Sequence, residues 1–251
     1  MIKMKHLVML SLFLILSCTS VGDWNKKANP IGPTDVGLGK RSWNTNSTIS
    51  KFPENWNIIR ELEISGAQSE DDGQESVGEG YVNTYYNYIE LRVDLDRWGG
   101  AYRFPNVQIP QGSMINSAKI SLVNYVSTFI HAVDSIACEN VDSATVLAGE
   151  GYYDISNRWK RRTEAAVMWN QMINASPGVR DYTPDLKTLV QEIVNRPNWK
   201  SGNAIIFLFK CLSLESDTSH LELYSWDFDN HSYGGVLHLS YTVKNALGTE
   251  N

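Results

Sequence analysis

Hydrophobic residues fall along the chain in three regimes. The first is an apolar run from Leu7 to Leu16, behind the basic positions Lys3 and Lys5. The second, from Thr19 to about Asn57, shows no periodicity and is rich in Asn, Ser, Thr, Gly, Pro and Lys. The third begins at Ile58 and consists of short runs in which apolar residues alternate or cluster. A period of two marks a half-buried strand, and a short continuous apolar run marks a fully buried one. Strands are therefore expected at Ile58–Ile64, Tyr85–Val93, Ala101–Val107, Ile115–Val126, Val133–Asn140 and Ala144–Ala148. Further strands are expected at Thr163–Trp169, Ala204–Leu212, Leu221–Trp226 and Val236–Val243. The acidic stretch Gly66–Gly80 reads as a loop. One segment has helical spacing instead: Leu186, Leu189, Val190, Ile193 and Val194 form a single apolar stripe. Thr183 is placed to cap this helix, with Pro184 in its first turn and Asp185 at its positive end. Arg196-Pro197 ends it, which predicts an amphipathic helix over about 184–196 packed on sheets. Many short strands with turn signals between them predict an all-β sandwich or barrel.

The first apolar run is too short to span a bilayer, which takes about 20 residues. With its basic start and the small residue Ser17 before Cys18, it reads as an export signal. Ile15-Leu16-Ser17-Cys18 resembles the bacterial lipobox, which implies cleavage before Cys18 and lipidation of its thiol. The expected organisation is a signal peptide over 1–17, the lipidated Cys18 and a tether over 18–57, a β-sandwich over 58–243 and a tail over 244–251. Trp24, Trp43 and Trp56 are unusual for a pure tether and suggest docking on the body. The expected location is the bacterial cell envelope, on the periplasmic face or the cell surface. A plain secretory peptide with an incidental Cys18 is the alternative.

A net charge of −6 excludes a general nucleic-acid binder, which needs a basic footprint. With Cys18 consumed by lipid, Cys138 and Cys211 remain, either as one disulfide of an exported protein or as two buried thiols. Eight Trp and twelve Tyr are many for this length, and aromatic faces make platforms for sugars. Trp98, Trp159, Trp226 and Tyr233 are candidates, each also able to fill core or cover a loop base. Arg161, within the basic run Arg158–Arg162, could pair with an acidic glycan or sit on a solvated strand edge. Asp71, Asp72 and Glu75 follow the first strand, while Asp227 and Asp229 follow the penultimate one. If the first and last strands are neighbours, these carboxylates could hold a structural calcium ion, which takes six to eight oxygens. Nothing singles out a catalytic carboxylate pair, and there is no Gly-x-Ser-x-Gly elbow, so no enzyme is expected.

Four blocks in order carry a family resemblance. The first runs Tyr102-Arg103-Phe104-Pro105-Asn106-Val107-Gln108-Ile109-Pro110-Gln111-Gly112 to Ala118. The second is Ile136–Ala144. The third runs from Thr183-Pro184-Asp185-Leu186 through Val190-Gln191-Glu192-Ile193-Val194-Asn195-Arg196-Pro197 to Ala204. The fourth joins Tyr224–Asp229 to Leu237–Tyr241. Together they resemble DNRLRE-like, carbohydrate-binding-module-like domains of secreted bacterial proteins, over about residues 59–243. Cys138, Asn198 and Ser113-Met114 depart from the common pattern. The resemblance implies a jelly-roll-like β-sandwich, extracellular location and a binding or structural role without catalysis. The expected partners are the membrane, through lipid, and a polysaccharide or other envelope component. A structural, adhesion or assembly protein without a small ligand is the alternative, and a polysaccharide-active enzyme a more distant one.

Overall fold

The alternating runs pair into two facing sheets. The computed structural model describes residues 57–76, 78–91, 97–125, 129–149, 151–174, 176–214 and 221–244. Its strands are β1 (Asn57–Ser65), β2 (Asp72–Ser76), β3 (Val82–Asn83), β4 (Tyr88–Leu91), β5 (Arg97–Phe104) and β6 (Met114–Val123). They continue with β7 (Phe129–Cys138), β8 (Val167–Asn174), β9 (Arg180–Tyr182), β10 (Ile205–Leu214), β11 (Leu221–Tyr224) and β12 (Val236–Lys244). The helices are α1 (Asp154–Lys160) and α2 (Lys187–Val194). One sheet has the order β1-β12-β6-β9, the other β3-β2-β5-β10-β7-β8, and β4 pairs with β11 in a short third sheet. All of these pairings are antiparallel. The first and last strands are neighbours over their full length, from Asn57 opposite Lys244 to Ser65 opposite Val236.

Side chains from both large sheets fill one core, which makes the fold a jelly-roll-like β-sandwich. Tyr102 and Phe104 on β5, Phe207 and Phe209 on β10, Ile120 and Leu122 on β6, and Leu237 and Leu239 on β12 are all buried in it. Edge-to-face ring pairs interlock it: Tyr102 with Phe209 (5.6 Å) and Phe104 with Phe207 (5.8 Å). Ile206 and Leu208 point the other way, into a second cluster with Val82, Ala101, Leu147 and Ile155. The continuous apolar run at the start of β10 follows from this, because that strand is covered on both faces.

Helix α2 lays Leu189, Val190, Ile193 and Val194 into the main core against β6 and β7. It begins later than the sequence predicts, because the expected cap is occupied elsewhere. Thr183 Oγ1 accepts the Ile120 amide (3.0 Å), and Asp185 Oδ1 accepts the amides of Ala118 (3.0 Å) and Lys187 (3.1 Å). Both side chains thus extend the β6 ladder, and Asp185 receives the first amide of the helix. The turn Ile109–Gly112 forms as expected, with Gly112 at a left-handed φ of 69°.

Four expectations are corrected. The acidic stretch after β1 is not all loop, since it contains β2, whose Asp72, Gln74 and Glu75 are buried. Ala144–Ala148 is not a strand, because its amides go singly to separate places, Ala144 to the Ala204 carbonyl and Leu147 to that of Glu70. The basic run Arg158–Arg162 lies not on a strand edge but on α1 and the turn after it. Cys138 and Cys211 are buried thiols that are not bonded to each other. Cys138 lies opposite Phe207, whereas Cys211 lies opposite Asp134, four residues along the same ladder. That offset is about 13 Å at strand rise, well beyond disulfide reach. Among the described residues, no helix is long and apolar enough to cross a membrane.

Candidate functional site

The β2–β3 hairpin forms one wall of a cleft enclosing about 310 Å³. Gln74, Glu75 and Ser76 contribute from β2, Glu79 and Tyr81 from the turn, Asn83 from the end of β3 and Tyr86 from the segment leading to β4. Asn83 positions the far lip: its Oδ1 accepts the amides of Tyr85 and Tyr86, both at 3.0 Å, and so turns the chain. Glu75 sits deep, with Oε2 accepting the Ser156 amide at 3.0 Å. Burial pushes its carboxyl above the ordinary range, an effect that the Ser156 hydrogen bonds partly offset.

From Tyr86 a continuous strip of rings runs across the β4–β11 pair. Register places Tyr88 opposite Tyr224 on one face, while Ile89, Leu91, Leu221 and Leu223 turn into the core. Tyr86 stacks on Tyr88 (6.1 Å between centroids), and Tyr88 stacks on Tyr125 (4.9 Å). Tyr125 meets Tyr224 edge-on (5.0 Å), and Tyr224 touches both Phe228 (4.2 Å) and Tyr233 (4.9 Å). None of these six rings is fully buried, and Tyr86 is 49% exposed. Desolvation raises the Tyr224 phenol above its usual range, with Tyr125, Tyr233 and Asp229 adding to the effect. The loop that presents Phe228 and Tyr233 contains three consecutive left-handed residues, Asp229, Asn230 and His231, at φ 43°, 52° and 69°. Such backbone is held only where its surroundings enforce it. Here His231 stacks on Trp226 (3.5 Å, 12° between planes) and its Nδ1 lies 2.7 Å from the Trp226 carbonyl.

Behind the strip, at the root of the same loop, lie three carboxylates. Asp71 pairs with Arg103 and accepts the Ala67 amide (2.8 Å). Asp72 Oδ2 accepts the Trp226 amide (2.7 Å), and Asp227 Oδ1 accepts the Ser69 hydroxyl (2.6 Å). Burial raises the Asp72 carboxyl well above its usual range, with Asp227 and Asp71 adding to the rise. Among the described residues, no three His, Cys, Asp or Glu side chains gather as a metal-binding group.

No family model matches the chain. No curated protein matches it significantly. Solved structures overlap it weakly, and two of them are viral. One is the Macrobrachium rosenbergii nodavirus, at 8% identity and a TM-score of 0.28, covering 87% of this chain and 62% of that one. The other is Mud crab tombus-like virus, at 8% identity and a TM-score of 0.27, covering 78% of this chain and 94% of that one. Overlaps this loose carry no argument about function.

The residues singled out in the sequence scatter over several places. Tyr233 is in the ring strip, and Trp226 braces its loop through His231. Trp159 packs against the second core cluster, with the Arg162 guanidinium 5.1 Å and the Lys210 ammonium 5.8 Å from its ring. Arg161 donates to Glu139 Oε1 (2.6 Å) rather than standing free. Trp98 falls on β5, with its side chain outside the described residues, and Cys18, the export signal and the tether lie outside them altogether. Of the five candidate metal ligands, Asp71, Asp72 and Asp227 lie near one another without gathering as a metal-binding group, Glu75 belongs to the cleft, and Asp229 lies beside Tyr224. Tyr86, Tyr88, Tyr125, Tyr224 and Phe228 were missed as a group. Their only sequence signal is the Tyr86-x-Tyr88 spacing, which puts two rings on one face of a strand.

Proposed function

We propose that this protein is a non-catalytic, lipid-anchored polysaccharide-binding module of the bacterial envelope, and that the ring strip and the adjoining cleft form its binding face. The observation that carries this reading is the continuous run of six partly exposed rings from Tyr86 to Tyr233, ending at a polar cleft. Sugar rings offer C–H faces to aromatic planes and hydroxyls to amides and carboxylates, and the strip and the cleft supply one of each. Glu75 and Glu79 in the cleft disfavour anionic sugars and point to a neutral polysaccharide. The resemblance to DNRLRE-like modules and the lipobox-like Ile15–Cys18 support the location and the anchoring.

The test is affinity electrophoresis and calorimetry of the full chain against a panel of neutral and acidic polysaccharides. Saturable binding to a neutral class is expected. Tyr86→Ala or Tyr224→Ala should weaken it at least about ten-fold, roughly 1.4 kcal/mol. Trp159→Ala, away from the strip, should leave affinity unchanged. Binding that ignores both tyrosine variants would remove the strip from the reading. A second reading, glycoside hydrolysis, is favoured by one feature: Glu75 is a carboxyl of raised proton affinity in the same cleft as Glu79, the kind of environment that makes a general acid. Release of reducing ends from a bound polysaccharide, lost in Glu75→Gln, would establish it in place of simple binding.

A further inference from the structure

We propose that Asp72 and Asp227 hold a buried calcium-type cation that ties the loop after β11 to the start of β2. Asp72 is 3% exposed, and its Oδ1 has no hydrogen-bond partner among the described residues. Asp227 Oδ2 is likewise buried without a partner. The Tyr102 hydroxyl, 2% exposed and electrostatically coupled to Asp72, is the third unpartnered oxygen of this region. Register explains the placement, since Asp72 lies directly opposite Tyr102 on β5, and the Trp226 amide bound by Asp72 precedes Asp227.

Among the described residues the charge does not balance locally. Arg103 neutralises Asp71, and the nearby Arg180 guanidinium is directed to Ser121 and to the Gly234 and Ser232 carbonyls. Two carboxylates are left, each with one oxygen satisfied by the protein and one oxygen bare. A buried bare carboxylate is costly unless a positive charge meets it. A proton on Asp72 alone would remove its charge, but it would leave a buried hydroxyl without an acceptor in place of a bare oxygen and would do nothing for Asp227 Oδ2. Among the described residues neither bare oxygen has a hydrogen-bond partner. A cation suits this arrangement. Calcium keeps ligand oxygens about 2.3–2.6 Å from itself, so that they stand apart from one another, and it accepts few carboxylates when neutral oxygens complete its shell. The two residues are far apart in sequence, so an ion between them would staple the ring-presenting loop to the sheet.

The experiment uses the full chain and calcium alone, without glycan, so it stands or falls separately from the proposed function. Thermal melts are compared in chelator and in calcium at about a hundred-fold excess over its dissociation constant, where a rise of about 5–10 °C is expected. Terbium(III) serves as a second probe, with luminescence excited through Trp226. Asp227→Asn, a partly exposed position that folding should tolerate, is expected to abolish both the melting shift and the terbium emission. Asp229→Asn, in the same loop, should abolish neither. A melting temperature indifferent to calcium overturns the proposal, and so does terbium emission that survives in Asp227→Asn. An equal shift from magnesium at the same concentration overturns the assignment to a calcium-type ion.

Discussion

Arg158 offers the sharpest test of how this fold is held together. Its side chain is 3% exposed and satisfies six acceptors. It reaches Glu139 Oε2 (2.8 Å), Asp154 Oδ1 and Oδ2 (3.0 and 3.1 Å), the Thr145 and Val146 carbonyls (3.1 and 2.8 Å) and Thr145 Oγ1 (3.1 Å). It is the pin that fastens α1 to the irregular segment 144–148 and to the end of β7. Truncation to alanine leaves buried Glu139 and two carbonyls short of a donor. Breaking a buried pair by removing one partner costs about 3–5 kcal/mol. Arg161 still donates to Glu139 at 2.6 Å, which favours the lower end, about 3 kcal/mol. For a body of this size that corresponds to a melting shift of roughly 6–12 °C. Arg161→Ala is the control: its side chain is 55% exposed, so the loss should stay below about 1 kcal/mol. Urea unfolding of the full chain measures both. The double variant Arg158→Met, Glu139→Gln should regain at least half the loss, because it removes the stranded charge along with its partner. An Arg158→Ala variant within about 1 kcal/mol of the parent would refute the reasoning, as would a double variant no better than the single one.

Three further outcomes are expected. Glu75 has a folded-state pKa raised by burial, so the folded protein holds its proton to higher pH than the unfolded chain. Stability should therefore fall as pH climbs above the ordinary glutamate range and through the raised value, and Glu75→Gln should flatten that slope in urea titrations between about pH 4 and 8; a slope unchanged in the variant would contradict the assignment. Trp199 is buried and donates its indole N–H to the Ile109 carbonyl (2.9 Å), so Trp199→Ala should cost about 3–5 kcal/mol by chemical denaturation. Cys138 and Cys211 should resist thiol reagents in the native protein and label only on unfolding, and reductant should leave the melting temperature unchanged; rapid native labelling of either would show that β7 or β10 opens locally.

The strands were legible wherever burial imposes a period, as in β1, β6, β10 and β12. β2 was hidden because its buried residues are polar: Gln74 is held by the Glu90 amide (2.6 Å) and Glu75 by that of Ser156, and no hydropathy pattern anticipates such partners. Helix α1 was hidden for a related reason, since the arginine that anchors it reads as solvent-facing until Glu139 and Asp154 are placed beside it. The start of α2 was misread because Thr183 serves a neighbouring strand instead of its own helix. The ring strip draws on Tyr86 and Tyr88, on Tyr125, and on the segment Tyr224–Tyr233, three stretches made adjacent only by the β4–β11 pairing and the end of β6. The carboxylates at 71, 72 and 227 lie near one another because the first and last strands are neighbours, as the sequence reading supposed. Glu75 and Asp229 do not join them, because one faces the cleft and the other faces the rings.

The pairing of β1 with β12 has an architectural consequence. Chain enters the sandwich at Asn57 and leaves it at Lys244, directly across one rung of a ladder. A body whose entrance and exit share a doorway can be spliced into a host loop without prising the host apart. The same fold can therefore be carried as a pendant at the end of a chain or as an insert within a longer one, with the ring strip untouched in either setting.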